Sequence, residues 1–138
     1  MREYYELAEY LAASWRLAND GEVRMPTSHG ILDEALYELR EALPLRLQDS
    51  ISFGNTRVGF RCYELPQILY CAQANLLTSE PNPTYLTTTV QIDKDAARRL
   101  VKRLGLSPAD AKSFGEQLRV KTREVRERLE QEAASEAA

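Results

Sequence analysis

The chain has little of what metal centres, disulfide frameworks and membrane spans require. Its 138 residues include two cysteines, Cys62 and Cys71, and one histidine, His29. That set is too small for the four ligands of a structural zinc site, and the spacing of the two cysteines matches no zinc-binding pattern. No apolar run approaches the ~20 residues that a bilayer span needs. We therefore expect no metal, no cofactor and no membrane insertion.

Catalytic patterns are also scarce. Ser28 precedes His29 directly, whereas a nucleophile and its base must meet in space with a third, orienting group. The carboxylate pair Asp33–Glu34 has no second pair with which to build a site, and no glycine-rich phosphate loop precedes a helix. The acidic N-terminus lacks the basic-then-apolar layout of a signal peptide. These shortages predict a cytoplasmic protein that is not an enzyme.

The charge, by contrast, is distributed very unevenly. Residues 94–128 carry eleven Lys/Arg against five Asp/Glu, a net charge of +6. The whole chain carries −3, so the remaining residues together carry −9. A reversal of this size predicts a basic surface that meets a polyanion or an acidic partner.

The first third of the chain has helical periodicity. Apolar residues recur every three or four positions in residues 2–19 and again in residues 30–42. Gly21 and Pro44 follow these stretches and are suited to ending helices. The short connection predicts that the two helices pack antiparallel as a helical hairpin.

The middle of the chain changes to an alternating pattern. Gly54–Asn55 between two such runs predicts a tight β-hairpin with Phe53 opposite Thr56. This pairing places the apolar residues on one face: Ile51, Phe53, Val58 and Phe60. Residues 85–92 favour a third strand, and residues 66–78 a helix that crosses over and covers the sheet. The expected fold class is α+β, with a small three-stranded sheet.

Two helices follow, at residues 94–104 and 108–132, with strong N-cap signals at Asp93 and Ser107. We expect residues 1–106 to form a compact α+β domain. Residues 107–138 would form a C-terminal helix that packs on the domain at its start and is able to project at its end.

Both helices carry basic stripes. In the first, Lys94, Arg98 and Lys102 are spaced by four, with Arg99 and Arg103 beside them. In the second, Arg119, Arg123 and Arg126 share a stripe, with Lys112 and Lys121 nearby. Arginine suits phosphate because its planar fork donates two hydrogen bonds. The residues expected to bind nucleic acid are Lys94, Arg98, Arg99, Lys102, Arg103, Arg119 and Arg123.

These stripes favour a small nucleic-acid-binding accessory or regulatory protein, with DNA and RNA both open. The alternative is a protein-interaction or assembly module, whose basic helices dock on an acidic partner or on another copy of the chain. Complementary acidic and basic portions lead us to expect a homo-oligomer. Solvated helices laced with ion pairs within the chain are the third interpretation.

Two smaller patterns bear on nucleic acid. Residues 97–116 loosely resemble a helix-turn-helix layout, although any two helices joined by Leu-Gly-Leu-Ser would look similar. Phe60, Tyr63, Tyr70 and Tyr85 cluster around the sheet region, near Arg57 and Arg61. Such residues are suited to stacking on single-stranded bases, or they are half-buried tyrosines whose hydroxyls reach water.

Overall fold

The computed structural model describes residues 2–21, 24–28, 30–57, 59–79 and 87–137. In this part the fold is α+β, with six helices and two antiparallel two-stranded sheets. The elements in chain order are α1 (Arg2–Ala18), β1 (Arg24–Pro26), α2 (Ile31–Glu38), a 3-10 turn (Arg40–Ala42), α3 (Leu45–Gln48), β2 (Phe53–Thr56), β3 (Gly59–Cys62), α4 (Leu65–Ala74), β4 (Thr87–Thr89), α5 (Lys94–Arg103) and α6 (Pro108–Ala137).

Local signals place the helix ends well. Gly21 lies just past α1 with a φ of +76°, which a residue with a side chain rarely adopts. The Asp93 carboxylate accepts the Ala96 N–H at 2.7 Å, and the Ser107 hydroxyl accepts the Asp110 N–H at 3.2 Å. Both side chains therefore satisfy orphan N–H groups at the starts of α5 and α6. Three helix ends differ from the expected bounds. Helix α6 continues past residue 132 to Ala137, whereas α2 ends at Glu38 and α4 at Ala74, each four residues before the expected end.

The core is organised around the contact between α1 and α6. The rings of Tyr10 and Phe114 lie 5.8 Å apart, and both residues are buried. Burial raises the pKa of Tyr10 to about 12. Helices α5 and α4 also pack on α1. The expected helical hairpin of α1 and α2 is wrong, because α2 packs chiefly on α6 and β3, and the long C-terminal helix takes its place against α1.

A β-hairpin forms, but not in the expected register. Phe53 pairs with Cys62 and Thr56 with Gly59, so the turn lies three residues later than Gly54–Asn55. Gly59 supplies the positive φ, at +110°, and the Thr56 hydroxyl donates to the Gly59 carbonyl at 2.6 Å. Because the register differs by an even number of residues, Phe53 and Phe60 still share a face. The expected partner of Ile51, Val58, lies outside the described residues.

Two carboxylates of α2 fix this register. Asp33 is buried, and its Oδ1 accepts the Cys62 N–H at 2.7 Å while its Oδ2 accepts the Gly30 N–H at 3.3 Å. Glu34 Oε1 accepts the Phe60 N–H at 2.8 Å. These bonds satisfy the free edge of β3. The Tyr37 ring then stacks on Phe60 with 3.5 Å between centroids. The hairpin is thus covered by α2, whereas the expected cover, α4, packs chiefly on α1.

The expected three-stranded sheet is also wrong. Strand β4 pairs antiparallel with β1, not with the hairpin, so the described residues form two separate sheets. On its other side the chain around Thr78 forms a bridge to Val90. Residues 85 and 86 of the expected strand lie outside the described residues. Among the helices that the structure describes, none combines the length and apolarity needed to cross a bilayer.

Candidate nucleic-acid interface

Basic side chains from α5 and α6 meet at the C-terminal end of α1. Asp20 lies there and forms an ion pair with Lys94 at the start of α5. The Lys94 ammonium, by its hydrogen bond and its charge, lowers the pKa of the Asp20 carboxyl, and the charges of Lys112 and Arg119 on α6 lower it further. Three cations therefore share one exposed carboxylate, which leaves a positive excess between the two helices.

Four of the seven residues expected to bind nucleic acid already have partners within the chain. Arg98 pairs with Asp95 on the same helix, and Arg103 reaches Glu9 of α1 at 3.3 Å. Arg119 is half-buried and donates to the Ala18 carbonyl at 2.8 Å, which caps the end of α1. Lys94 is the fourth, through Asp20.

The other three, Arg99 and Lys102 on α5 and Arg123 on α6, are exposed. Lys112 and Arg126 are exposed in the same way. Residues 112, 119, 123 and 126 are spaced by seven, four and three, so they lie on one side of α6. We name five residues the outer cations: Arg99, Lys102, Lys112, Arg123 and Arg126. Among the described residues, none of the five is in an ion pair with a carboxylate.

The basic residues on the opposite side of α6 pair with acids of α2 and of α6 itself. Lys121 lies 3.0 Å from Glu124 and 3.9 Å from Glu38 of α2. The hydrogen bond to Glu124 is the main cause that raises the pKa of Lys121. Arg128 lies 3.4 Å from Glu38 and 3.9 Å from Glu34. The acids on α2 therefore account for this side of the helix and leave the side with the outer cations open.

The helix-turn-helix resemblance gains no support from packing. Helices α5 and α6 contact each other only slightly, and each packs mainly on α1. Ala111 and Phe114 of α6 are buried, as they would be in any helix packed on a core. The exposed side chains at the start of α6 include Asp110 and Glu116, which would repel phosphate. The basic surface is formed by the sides of two helices, not by the N-terminus of a recognition helix.

A second basic feature lies at the hairpin, in a cleft that Asp33 of α2 also lines. A cleft of about 690 Å³ separates the hairpin from the start of α4. Arg57 and Arg61 line it, and so does Tyr63, whose hydroxyl lies against Gly54. Tyr63 is 65% exposed and Tyr70 is 63% exposed, so neither is the half-buried tyrosine of the alternative interpretation. Phe60 is stacked on Tyr37 and faces away.

The cleft floor includes Cys62, a buried thiol. Burial, with a smaller contribution from the charges of Glu64 and Asp33, raises its pKa to about 12. Within the described residues, no group of three or more His, Cys, Asp or Glu side chains is placed to hold a metal ion. His29 lies outside these residues.

We expect both thiols to be nearly unreactive in the folded protein, because only the thiolate is nucleophilic and both cysteines are buried. Ellman's reagent at pH 8 should label neither Cys62 nor Cys71 within minutes, and should label both after denaturation in guanidinium. Rapid labelling of the native protein would contradict the burial of this region.

Comparisons with known proteins found no relative: no family model, curated protein or solved structure matches the chain.

Proposed function

We propose that the protein is a small nucleic-acid-binding accessory or regulatory protein that contacts phosphates through the exposed sides of α5 and α6. The observation that carries the proposal is the set of outer cations. Most of the other basic residues of α5 and α6 are engaged by the chain's own acids or carbonyls, whereas these five are exposed and form no ion pair within the described residues. Of the five, Lys112 lies near the carboxylate of Asp20. Plain solubility does not require such sorting, since mixed charges would serve it equally well.

The arrangement favours phosphate over base readout. The outer cations extend from Arg99 on α5 to Arg126 on α6 and include three arginines, whose forks match phosphate oxygens. Contacts of this kind position a protein on nucleic acid without reading its sequence. We therefore propose binding that is salt-sensitive and weakly sequence-dependent.

The test is fluorescence anisotropy with labelled mixed-sequence duplex DNA, single-stranded DNA and RNA over a range of NaCl concentrations. Each phosphate contact releases condensed counterions, so five contacts should give a log–log slope of about −4.5 on duplex DNA and about −3.5 on a single strand. The triple variant Arg99→Ala, Lys102→Ala, Arg123→Ala should flatten the slope by about one unit per contact. Its unfolding should hardly change, because exposed charges contribute little to stability.

The matched control is Gln131→Glu, Ala133→Glu, Ala134→Glu in the exposed end of α6, which lowers the net charge by the same three units. This variant should keep most of the slope. If both triple variants lose affinity equally, overall charge and not this surface governs binding. Parental protein that binds neither DNA nor RNA at low salt would contradict the proposal.

If the parental protein binds neither DNA nor RNA, the alternative of a protein-interaction or assembly module takes precedence, and the same variants test it. Sedimentation of the parent at high micromolar concentration would then show a homo-oligomer that dissociates as salt is raised. The triple variant would sediment as a smaller species than the control variant, because its basic helices could no longer meet the acidic surface of another copy.

A further inference from the structure

The cleft between the hairpin and α4 is built for a ligand with an anionic and an apolar part. One wall belongs to the hairpin and carries Arg57, Arg61 and Tyr63. The opposite wall is the apolar start of α4, formed by Leu65, Pro66 and Leu69. Its volume of about 690 Å³ lies within the range typical of small-molecule sites.

Neither arginine in the cleft forms an ion pair with the residues that the structure describes. Arg61 is half-buried. Asp33 lines the cleft, but its two oxygens already accept the N–H groups of Cys62 and Gly30. A half-buried cation without a partner is costly, and an anion in the cleft would remove that cost.

Glu64, which follows Tyr63, has its oxygens occupied as well. They accept from the N–H and the hydroxyl of Ser52, at 2.7 and 2.6 Å. The acids around the cleft therefore serve the backbone of the hairpin. By contrast, Arg128 and Lys121 of α6 form ion pairs with Glu34 and Glu38 of α2.

Tyr63 provides a flat surface next to the arginines. In β2, Gly54 has no side chain, and a Cβ built there would lie 1.8 Å from the Tyr63 hydroxyl oxygen. The ring therefore lies close to the strand at Gly54, which is paired with Arg61. An exposed ring beside two guanidinium groups is the combination that holds a base together with its phosphate.

We propose that this cleft binds a nucleotide, with the phosphate on Arg57 and Arg61 and the base between Tyr63 and the apolar wall of α4. The nucleotide is either a free mononucleotide or the 5′-phosphorylated end of a single strand. The inference is independent of phosphate binding by α5 and α6, which lie elsewhere and use other residues.

The first experiment is isothermal titration calorimetry of the full chain with AMP, adenosine and inorganic phosphate. AMP should bind with one-to-one stoichiometry, and adenosine and phosphate at least tenfold more weakly, because each lacks one half of the contacts. No binding of AMP at about 10 mM, beyond the weak millimolar regime, would overturn the proposal. Equal affinity for AMP and phosphate would also overturn it, since the base would then make no contact.

Variants locate the site. The double variant Arg57→Ala, Arg61→Ala should lower the affinity for AMP at least tenfold. The affinity of Arg61→Lys should lie between those of the double variant and the parent, because lysine keeps the charge without the planar fork of arginine. Tyr63→Ala should weaken the binding of AMP and leave the binding of phosphate unchanged. Gly54→Ala, whose added methyl group displaces the Tyr63 ring, should have the same effect. The matched control Arg99→Ala, Lys102→Ala removes two charges on α5 and should leave AMP within twofold of the parent. AMP binding lost in that control but kept in the cleft variant would overturn the assignment.

The source of the nucleotide is settled by octathymidylate with and without a 5′-phosphate, compared with TMP. Preference for the phosphorylated oligonucleotide over TMP, abolished by Arg57→Ala, Arg61→Ala, assigns the cleft to a strand end. Equal affinity for TMP and the phosphorylated oligonucleotide assigns it to free mononucleotides. The proposal for strand ends would be overturned if the two oligonucleotides bound with the same affinity with and without the 5′-phosphate, and if Arg57→Ala, Arg61→Ala left that affinity unchanged.

Discussion

Replacing Phe114 by alanine is expected to lower the free energy of unfolding by about 3–5 kcal/mol, the usual cost of deleting a fully buried aromatic ring. Phe114 is 1% exposed and lies against Tyr10, in the middle of the contact between α1 and α6. Urea denaturation followed by circular dichroism measures the loss.

The control is Val120→Ala on the exposed side of the same helix, where truncation should change stability by less than about 0.5 kcal/mol. A second readout is the ionisation of Tyr10. Burial is the main cause of its raised pKa of about 12, so the cavity left by Phe114→Ala should admit water and lower that pKa toward 10, measured by ultraviolet absorbance. A stability loss no larger than that of the control would show that α6 does not anchor the core.

Helix positions follow from the sequence because their signals are local. Asp93 and Ser107 cap α5 and α6 through bonds to N–H groups three residues ahead, as their spacing indicates. Where the local signal is absent, the prediction fails. Leu76 lies within the helix expected at residues 66–78, yet it is 76% exposed, with a φ of +59°. The helix ends at Ala74, and Leu77 turns inward instead.

That ending uses the bonds of a glycine C-cap without a glycine. The Leu77 N–H donates to the Ala72 carbonyl at 2.9 Å, which places Leu76 in the left-handed position that glycine usually fills. A sequence pattern has no means of indicating a leucine in this conformation. The prediction of the hairpin register failed for a related reason. The register depends on Asp33 and Glu34, which are distant in sequence from the strand that they bind.

The candidate surface was predictable in part. Spacing alone identifies the basic stripes on α5 and α6, since helical periodicity determines which side chains are neighbours. It does not tell which cations are engaged, because Arg103 and Arg119 find their partners on α1, across most of the chain. The pairing of cations with distant acids is a property of the fold, so the division between structural and outer cations becomes visible only in three dimensions.

Helices α1 and α6 approach each other closely at Gly115 of α6. A Cβ at this position would lie 1.9 Å from the backbone oxygen of Ser14 and 2.9 Å from the Ala18 side chain. Gly115 is therefore required for α6 to lie against α1. An exposed glycine inside a helix would gain about 1 kcal/mol on replacement by alanine, so the sign of the effect is diagnostic.

Gly115→Ala is expected to destabilise the protein by about 2 kcal/mol, because overpacking costs about 3 kcal/mol and helix propensity returns about 1. Urea denaturation measures it against Glu116→Ala, an exposed neighbour that should stay within about 0.5 kcal/mol of the parent. Ala18→Gly should not rescue the variant, since the nearest clash is with a backbone atom.

The displaced helix would also draw Arg119 away from the Ala18 carbonyl and the outer cations of α6 away from those of α5. Salt-dependent binding should therefore weaken in Gly115→Ala but not in Glu116→Ala. A Gly115→Ala protein more stable than the parent would contradict the contact on which this surface depends.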